Sequence, residues 1–272
     1  SNSVIVQPND LTIVEGGVSA SYTMMVTADV GVGEAVVLEA ELEPVLGARS
    51  VVLGGDAAEV SASYLYHVTF GGGSVAGTTK TGSVAAVDDG TLEGVESASI
   101  KHSVSANHTW AASPFLGATV GNVGVTVYDA SVASLVVRPQ DLFVVEGGST
   151  VRYTLMLTSD LAPTESVVVR ASVGLGAYSG RVTLGEAADL AVADVYRITF
   201  AAGSVAGTTK TVSVTGQATG TFVDVQGEQS ASIVHTLDPA TTTDSEYMVL
   251  SVDSVSMAAR PKRRRRSGWI RP

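Results

Sequence analysis

The side chains that could do chemistry in this chain are carboxylates, four histidines and hydroxyls, because there is no cysteine. That absence excludes thiolate metal sites, thiol nucleophiles and disulfide staples, and it leaves the redox compartment open. Acids gather in short Gly-containing segments. Asp88-Asp89-Gly90 is followed by Glu93 and Glu96, and Glu15 and Glu146 each precede a Gly-Gly pair. Carboxylates in turns supply the hard oxygen donors that Ca²⁺ takes, six to eight at about 2.3–2.6 Å. Asp-Asp-Gly is equally ordinary turn chemistry, and solvated turn acids are the plain alternative.

The histidines divide into two kinds. His102 lies between Ile100 and Val104 on an alternating row, and His235 between Ile233 and Leu237. Both point inward on that pattern, which predicts neutral core imidazoles bonded to backbone rather than metal ligands. His67 and His108 have no partner legible in the sequence. Ser74 and Ser204 sit in Gly-rich turns, but Ala76 and Ala206 stand where a nucleophile elbow needs its last glycine. No phosphate loop, dinucleotide fingerprint or EF-hand loop is present. With no base and orienting group to pair with a nucleophile, the residues predict a protein that is not an enzyme. Asn107-His108-Thr109 is a glycosylation sequon, usable if the chain is secreted by a eukaryote.

These residues have to be positioned by something, and the chain repeats itself. Leu11-Thr-Ile-Val-Glu-Gly-Gly17 returns as Leu142-Phe-Val-Val-Glu-Gly-Gly148. Gly73 to Thr81 returns unchanged as Gly203 to Thr211, and Ser97-Ala-Ser-Ile-Lys-His102 returns as Ser230-Ala-Ser-Ile-Val-His235. An offset near 130 residues is the size of a domain, too long for a solenoid repeat. Tandem duplication follows, with copies at 1–133 and 134–257 and a basic tail at 258–272, expected to be disordered.

Within each copy apolar residues alternate with period two. Tyr22, Met24 and Val26 oppose Thr23, Met25 and Thr27, and Tyr66, Val68 and Phe70 oppose His67 and Thr69. The pattern predicts an all-β chain: two tandem immunoglobulin-like antiparallel β-sandwiches of about seven strands each. The segments Gly54 to Ser63 and Gly185 to Ala193 have room for a helical turn at most. Valine-rich alternation and a 45 % hydrophobic composition supply the core.

Charge narrows the partners. Seven of 16 basic residues fall between Arg260 and Arg271, leaving the first 259 residues a net charge of −18. A body that acidic repels nucleic acid and anionic membranes. No apolar run approaches the roughly 18 residues needed to span a bilayer. The start at Ser-Asn-Ser, without Met or a signal-like stretch, is what a processed or excised piece of a longer protein would show.

The order of the pieces resembles the Calx-beta family. The residues that carry the resemblance are Val14-Glu15-Gly16 and Val145-Glu146-Gly147, then Thr69-Phe70 to Gly73 and Thr199-Phe200 to Gly203. The acidic turn Val87-Asp88-Asp89-Gly90 follows, and then the closing Val127-Tyr-Asp129 and Val252-Asp253. The resemblance implies extracellular or cell-surface arrays and, in many members, calcium at one pole. On that implication the ligands of copy one are Glu15, Asp88, Asp89, Glu93, Glu96 and Asp129, and those of copy two are Glu146, Asp224, Glu228 and Asp253. In copy two the Asp-Asp turn has become Ala218-Thr-Gly-Thr-Phe222.

The expected function is a non-catalytic structural or adhesive module of a larger extracellular or surface protein. Its partners would be other surface proteins or neighbouring repeats, with no nucleic acid and no membrane insertion. The alternative is a carbohydrate-binding accessory pair of a secreted protein, which would need Tyr64, Trp110, Tyr128 and Tyr178 to cluster.

Overall fold

The computed structural model describes residues 2–44, 51–61, 64–92, 94–145, 147–174, 182–192, 194–217 and 229–260. The chain divides into two compact units, Ser1–Val132 and Ala133–Pro272. Among the described residues the first unit has ten strands: β1 (Val4–Gln7), β2 (Asp10–Val14), β3 (Ala20–Val26), β4 (Ala35–Pro44), β5 (Val51–Gly55), β6 (Ala58–Ser61), β7 (Leu65–Gly71), β8 (Thr79–Ala86), β9 (Val95–Val104) and β10 (Val123–Tyr128). They form a four-stranded sheet, β1-β3-β8-β5, and a six-stranded sheet, β2-β10-β9-β4-β7-β6. Pairing is antiparallel except between β2 and β10, which run parallel.

Alternation decides which side of each strand is buried. Tyr22, Met24 and Val26 of β3 are inside and Ser21 and Thr23 outside. In β4 the inner row is Val36, Leu38, Ala40 and Leu42, and Glu39 and Glu41 stand on the outer face. These rows meet Ile13, Phe70, Val84, Ile100 and Val125 in one core. Burial of apolar area at roughly 25 cal/mol per Å² supplies the main driving force.

About seven strands were expected, and two local features raise the number. Pro8 has no N–H to donate, so the first strand cannot continue in one ladder. The chain pairs with β3 before it and with β10 after it. The segment expected to hold at most a helical turn instead forms β5 and β6. Gly55 turns there at φ +75°, and the Asp56 carboxylate accepts the Thr81 N–H at 2.8 Å. The chain thereby steps from the edge of one sheet to the edge of the other.

The second unit repeats this plan with β11 (Leu135–Arg138), β12 (Asp141–Val145), β13 (Val151–Leu157), β14 (Val167–Val173), β15 (Val182–Glu186), β16 (Ala188–Val192), β17 (Val195–Phe200), β18 (Thr209–Gly216), β19 (Gln229–Leu237) and β20 (Val255–Arg260). Its sheets are β11-β13-β18-β15 and β12-β20-β19-β14-β17-β16, strand for strand the order of the first unit. A single 3₁₀ turn, Tyr247–Val249, precedes β20. Strand β20 pairs with β12 as far as Arg260, three residues beyond the 257 boundary expected from composition. The remaining basic tail lies outside the described residues. No helix among the described residues is long and apolar enough to cross a membrane.

Phe70 is fully buried in the first core. Phe70→Ala should cost about 3–5 kcal/mol by lost burial and cavity formation. Chemical denaturation of the full chain should show the first unit's transition moved to lower denaturant, with that of the second unit unchanged.

Candidate functional site

The inward histidines are core hydrogen-bonding groups. His102 Nδ1 lies 3.0 Å from the Gly121 carbonyl, and its Nε2 lies 3.0 Å from the Tyr22 hydroxyl. A carbonyl only accepts, so Nδ1 carries the proton and Nε2 accepts from Tyr22. The second unit repeats this with His235, the Asp253 carbonyl at 2.7 Å and the Tyr153 hydroxyl at 3.0 Å. Burial pushes His102 down to about 4 and Tyr22 up to about 12. Both groups are therefore neutral at pH 7.

The repeated Gly-Ser-Val-Ala-Gly loops are structural as well. Ser74 Oγ donates to the Gly71 carbonyl at 2.7 Å, and the Asp29 carboxylate accepts the Ala76 N–H at 2.7 Å. Ser204 and Asp160 do the same to Ala201 and Ala206.

The predicted carboxylates of the first unit gather at one end of its sandwich. Glu15 continues the inward row Leu11, Ile13; Asp129 continues Val123, Val125, Val127; and Glu96 begins the row Ala98, Ile100, His102. Strands β2 and β10 run parallel and finish together, and β9 starts beside them, with Glu96 opposite Val127. Glu15 and Asp129 are 2 % and 5 % exposed. Glu96 Oε2 is shielded from solvent and has no hydrogen-bond partner. The Asp88 turn reaches the same end, because Gly16 donates to the Ala86 carbonyl at 2.9 Å and a Cβ on Gly16 would lie 3.2 Å from Asp88 Cβ. Gly16 manages this at φ +63°.

Asp88 and Asp89 each cap their own turn, accepting the N–H of Gly90 at 2.8 Å and of Thr91 at 2.9 Å. Among the described residues no three carboxylates here bring their oxygens within 4.8 Å of one another. The donor set fits Ca²⁺ chemically: it is all oxygen, partly buried, and includes an orphaned oxygen at Glu96. Glu93 lies outside the described residues.

In the second unit, Glu146, Asp224 and Glu228 lie outside the described residues. Asp253 is exposed, precedes β20, and accepts from the Gln140 side chain at 2.7 Å. Its carbonyl holds His235 where the Gly121 carbonyl holds His102, so it matches Gly121 in place and stands at the opposite end of the sheet from Asp129. Register shows why the sequence misleads here. Tyr128 pairs with Val14, and Arg260 with Val145, so the residue that matches Asp129 is the next one, Pro261. Val252-Asp253 imitates the closing motif one strand length too early.

A second group was not legible beforehand. Glu39 and His67 are paired directly across β4 and β7 on the outer face. The turn after β9 folds back over them: Ser105 donates from its N–H to the Val37 carbonyl at 2.8 Å, and Thr109 Oγ1 accepts the Val37 N–H at 3.0 Å. His108 is thereby brought to a ring-centroid distance of 4.6 Å from His67. Glu39, His67 and His108 each offer one ligand atom, all within 4.8 Å of one another. Asn107, exposed, is the neighbouring residue.

Among the described residues, Tyr64, Trp110 and Tyr128 do not gather. Trp110 bonds at the Ala35 end of β4 and Tyr64 at the Leu42 end, seven residues or about 23 Å along a strand. Tyr128 ends β10, three strands from β7, and Tyr178 lies outside the described residues.

No family model matches the sequence, and no curated protein does. Among solved structures, the calcium-binding domain CBD12 of CALX1.1 is 12 % identical with a TM-score of 0.34, covering 94 % of this chain and 99 % of that one. CBD12 from CALX1.2 is 11 % identical with a TM-score of 0.34 and the same coverages. The periplasmic chaperone SfaE, 9 % identical with a TM-score of 0.30, also covers 94 % of this chain and 99 % of that one. Likenesses this weak carry no argument about this chain.

The His102–Tyr22 pair makes stability pH-dependent. The unfolded chain takes up an imidazole proton near 6.5, whereas folded His102 resists it until about 4. Stability from the pair is therefore complete above about 6.5 and is lost as pH falls towards 4. The thermal midpoint should fall across that window, and less steeply in His102→Gln. Tyr22→Phe should cost about 1–3 kcal/mol at pH 7 by leaving Nε2 unpaired.

Proposed function

We propose that this chain is a divergent pair of Calx-beta-like modules, a non-catalytic structural and adhesive segment of a larger extracellular or cell-surface protein. In this reading its first module binds Ca²⁺ at the acidic pole. The observation that carries the reading is the arrival of Glu15, Glu96 and Asp129 at one end of a single sheet, with Asp88 beside them. These are carboxylates at the ends of core-facing rows, where burial costs free energy unless a cation or hydrogen bonds offset it. Glu15, Asp88, Asp89, Glu96 and Asp129 would hold the ion, with Glu93 from the adjoining segment. The ion would tie the ends of β2, β8, β9 and β10 together and stiffen that pole. The second module would serve as a metal-independent spacer, since its sequence places Ala218, Thr219 and Pro261 where the first has Asp88, Asp89 and Asp129. Partners would be neighbouring repeats or other surface proteins. The dispersed aromatics give a carbohydrate-binding reading no platform.

A thermal melt of the full chain in chelator and then in millimolar CaCl₂ tests this. A ligand that binds only the folded state raises the midpoint by mass action, by about 2.7 kcal/mol at a hundredfold excess over Kd. The expected result is a rise of several degrees in one transition, abolished by Asp88→Asn with Asp129→Asn. An unchanged midpoint would mean that the pole takes no Ca²⁺ and that the pair is metal-independent.

A further inference from the structure

We propose that the outer face of the first unit carries a binding site for a divalent transition-metal ion of the Zn²⁺ class, formed by Glu39, His67 and His108. The site is separate from the acidic pole and uses different donor chemistry. Two imidazole nitrogens and one carboxylate oxygen form a borderline-soft set, suited to Zn²⁺, Cu²⁺ or Ni²⁺ rather than to Ca²⁺ or Mg²⁺. Three protein donors leave a fourth tetrahedral position for water or for a group from outside the chain.

The geometry is nearly that of a ligated ion. Donors bound at about 2.0–2.1 Å in a tetrahedron lie about 3.4 Å apart. Here Glu39 Oε1 and His67 Nε2 are 3.8 Å apart, and all three donors lie within 4.8 Å. Modest side-chain rotation closes the difference. At 3.8 Å the carboxylate does not hydrogen-bond the imidazole. His67 Nε2 is accordingly shielded from solvent without a partner. An orphaned buried nitrogen facing a carboxylate and a second imidazole is costly unless something binds it.

The surroundings also orient the ligands. Ser105 Oγ donates its one proton to Glu39 Oε1 at 2.6 Å. Its 3.0 Å contact with His108 Nδ1 must then be donated by the imidazole. That fixes the tautomer and leaves the His108 lone pair on Nε2. Outer contacts of this kind hold metal-binding histidines and carboxylates in place. The scaffold is regular: Glu39 and His67 sit on paired strands, and the Ser105–Trp110 turn is bonded to the β4 backbone at Val37 and Ala35.

The duplicate supplies an internal comparison. At the matching places the second unit holds Arg170 and Arg197, paired across β14 and β17, with Asp238 in the place of Ser105 and Thr241 in that of His108. Arg170 Nη2 donates to Asp238 Oδ1 at 2.8 Å, and Arg197 Nη2 lies 3.4 Å from Oδ2. Burial pushes the Asp238 carboxyl up, but hydrogen bonds from Thr241, Ala240 and Arg170 outweigh it and hold the group below its usual range. That unit fills the place with its own ion pairs. The fold therefore does not require an acid and two imidazoles there, and among the described residues of the first unit no Lys or Arg pairs with Glu39.

The test is calorimetric titration of ZnCl₂ into the full chain, freed of metal and held in saturating CaCl₂ so that the acidic pole is occupied or indifferent. The expected result is one equivalent bound, with only the His67 and His108 imidazole resonances displaced by NMR. His67→Gln and His108→Ala should each weaken binding at least about tenfold, and Asp88→Asn with Asp129→Asn should leave it unchanged. His108 is exposed in a turn, so its variant keeps the fold and decides the matter if the His67 variant does not. Absence of saturable one-equivalent binding, or binding undiminished in His108→Ala, would overturn the site. A calcium-induced midpoint shift is read separately, so either metal site can fail without the other.

Discussion

Because one face of the six-stranded sheet is buried, none of its strands can slip by one residue without turning a row of core side chains to solvent. That single constraint sets the register of β2, β10, β9, β4 and β7 together. It makes Leu38 and Val68 face the core, and it necessarily puts Glu39 opposite His67 on the other side. It also brings the rows of β2, β10 and β9 to their ends at one level, so that Glu15, Asp129 and Glu96 arrive at one pole. The chemistry of both faces is therefore inherited from the packing of the interior.

The interior was the part legible in the sequence. Period-two alternation is a local signal, and it identified the inner rows of β3, β4, β7 and β10 and the inward direction of His102 and His235. What it could not convey is which strand lies beside which. Glu39, His67 and His108 are separated by 28 and 41 residues in the chain, and their meeting depends on the β4–β7 register and on a turn that folds back over β4. Neither leaves a local mark. Asp253 shows a related difficulty: a valine beside an aspartate reports a strand end only if the strand is the right one, and here β20 begins two residues later. Strands β5 and β6 were hidden because their alternating rows are short and the turn between them depends on long-range capping by Asp56.

The two copies separate what the fold needs from what it merely permits. The His–Tyr pair is present in both, at the same depth and with the same carbonyl partner geometry. So is the carboxylate that receives the Ala76 or Ala206 N–H. These groups satisfy buried or turn polar atoms, and losing one would strand another. On the outer face the same backbone holds a carboxylate and two imidazoles in one copy and two guanidiniums with a carboxylate in the other.

That contrast bears on how the charges are maintained. Arg170, Arg197 and Asp238 form a closed arrangement in which the fully buried carboxylate meets both cations. Glu39 has only the Ser105 hydroxyl at hydrogen-bonding distance and a neutral-capable imidazole at 3.8 Å. A pair that far apart, with the carboxylate partly exposed, contributes little. The second unit's outer face pairs its carboxylate with two guanidiniums, although Asp238 Oδ2 accepts no hydrogen bond, whereas among the described residues of the first unit Glu39 faces only an imidazole. The acidic pole repeats the logic at the other end of the same sheet: Glu96 Oε2 is buried where the fold supplies it no hydrogen-bond donor. In both places it is the strand register that assembles the donors.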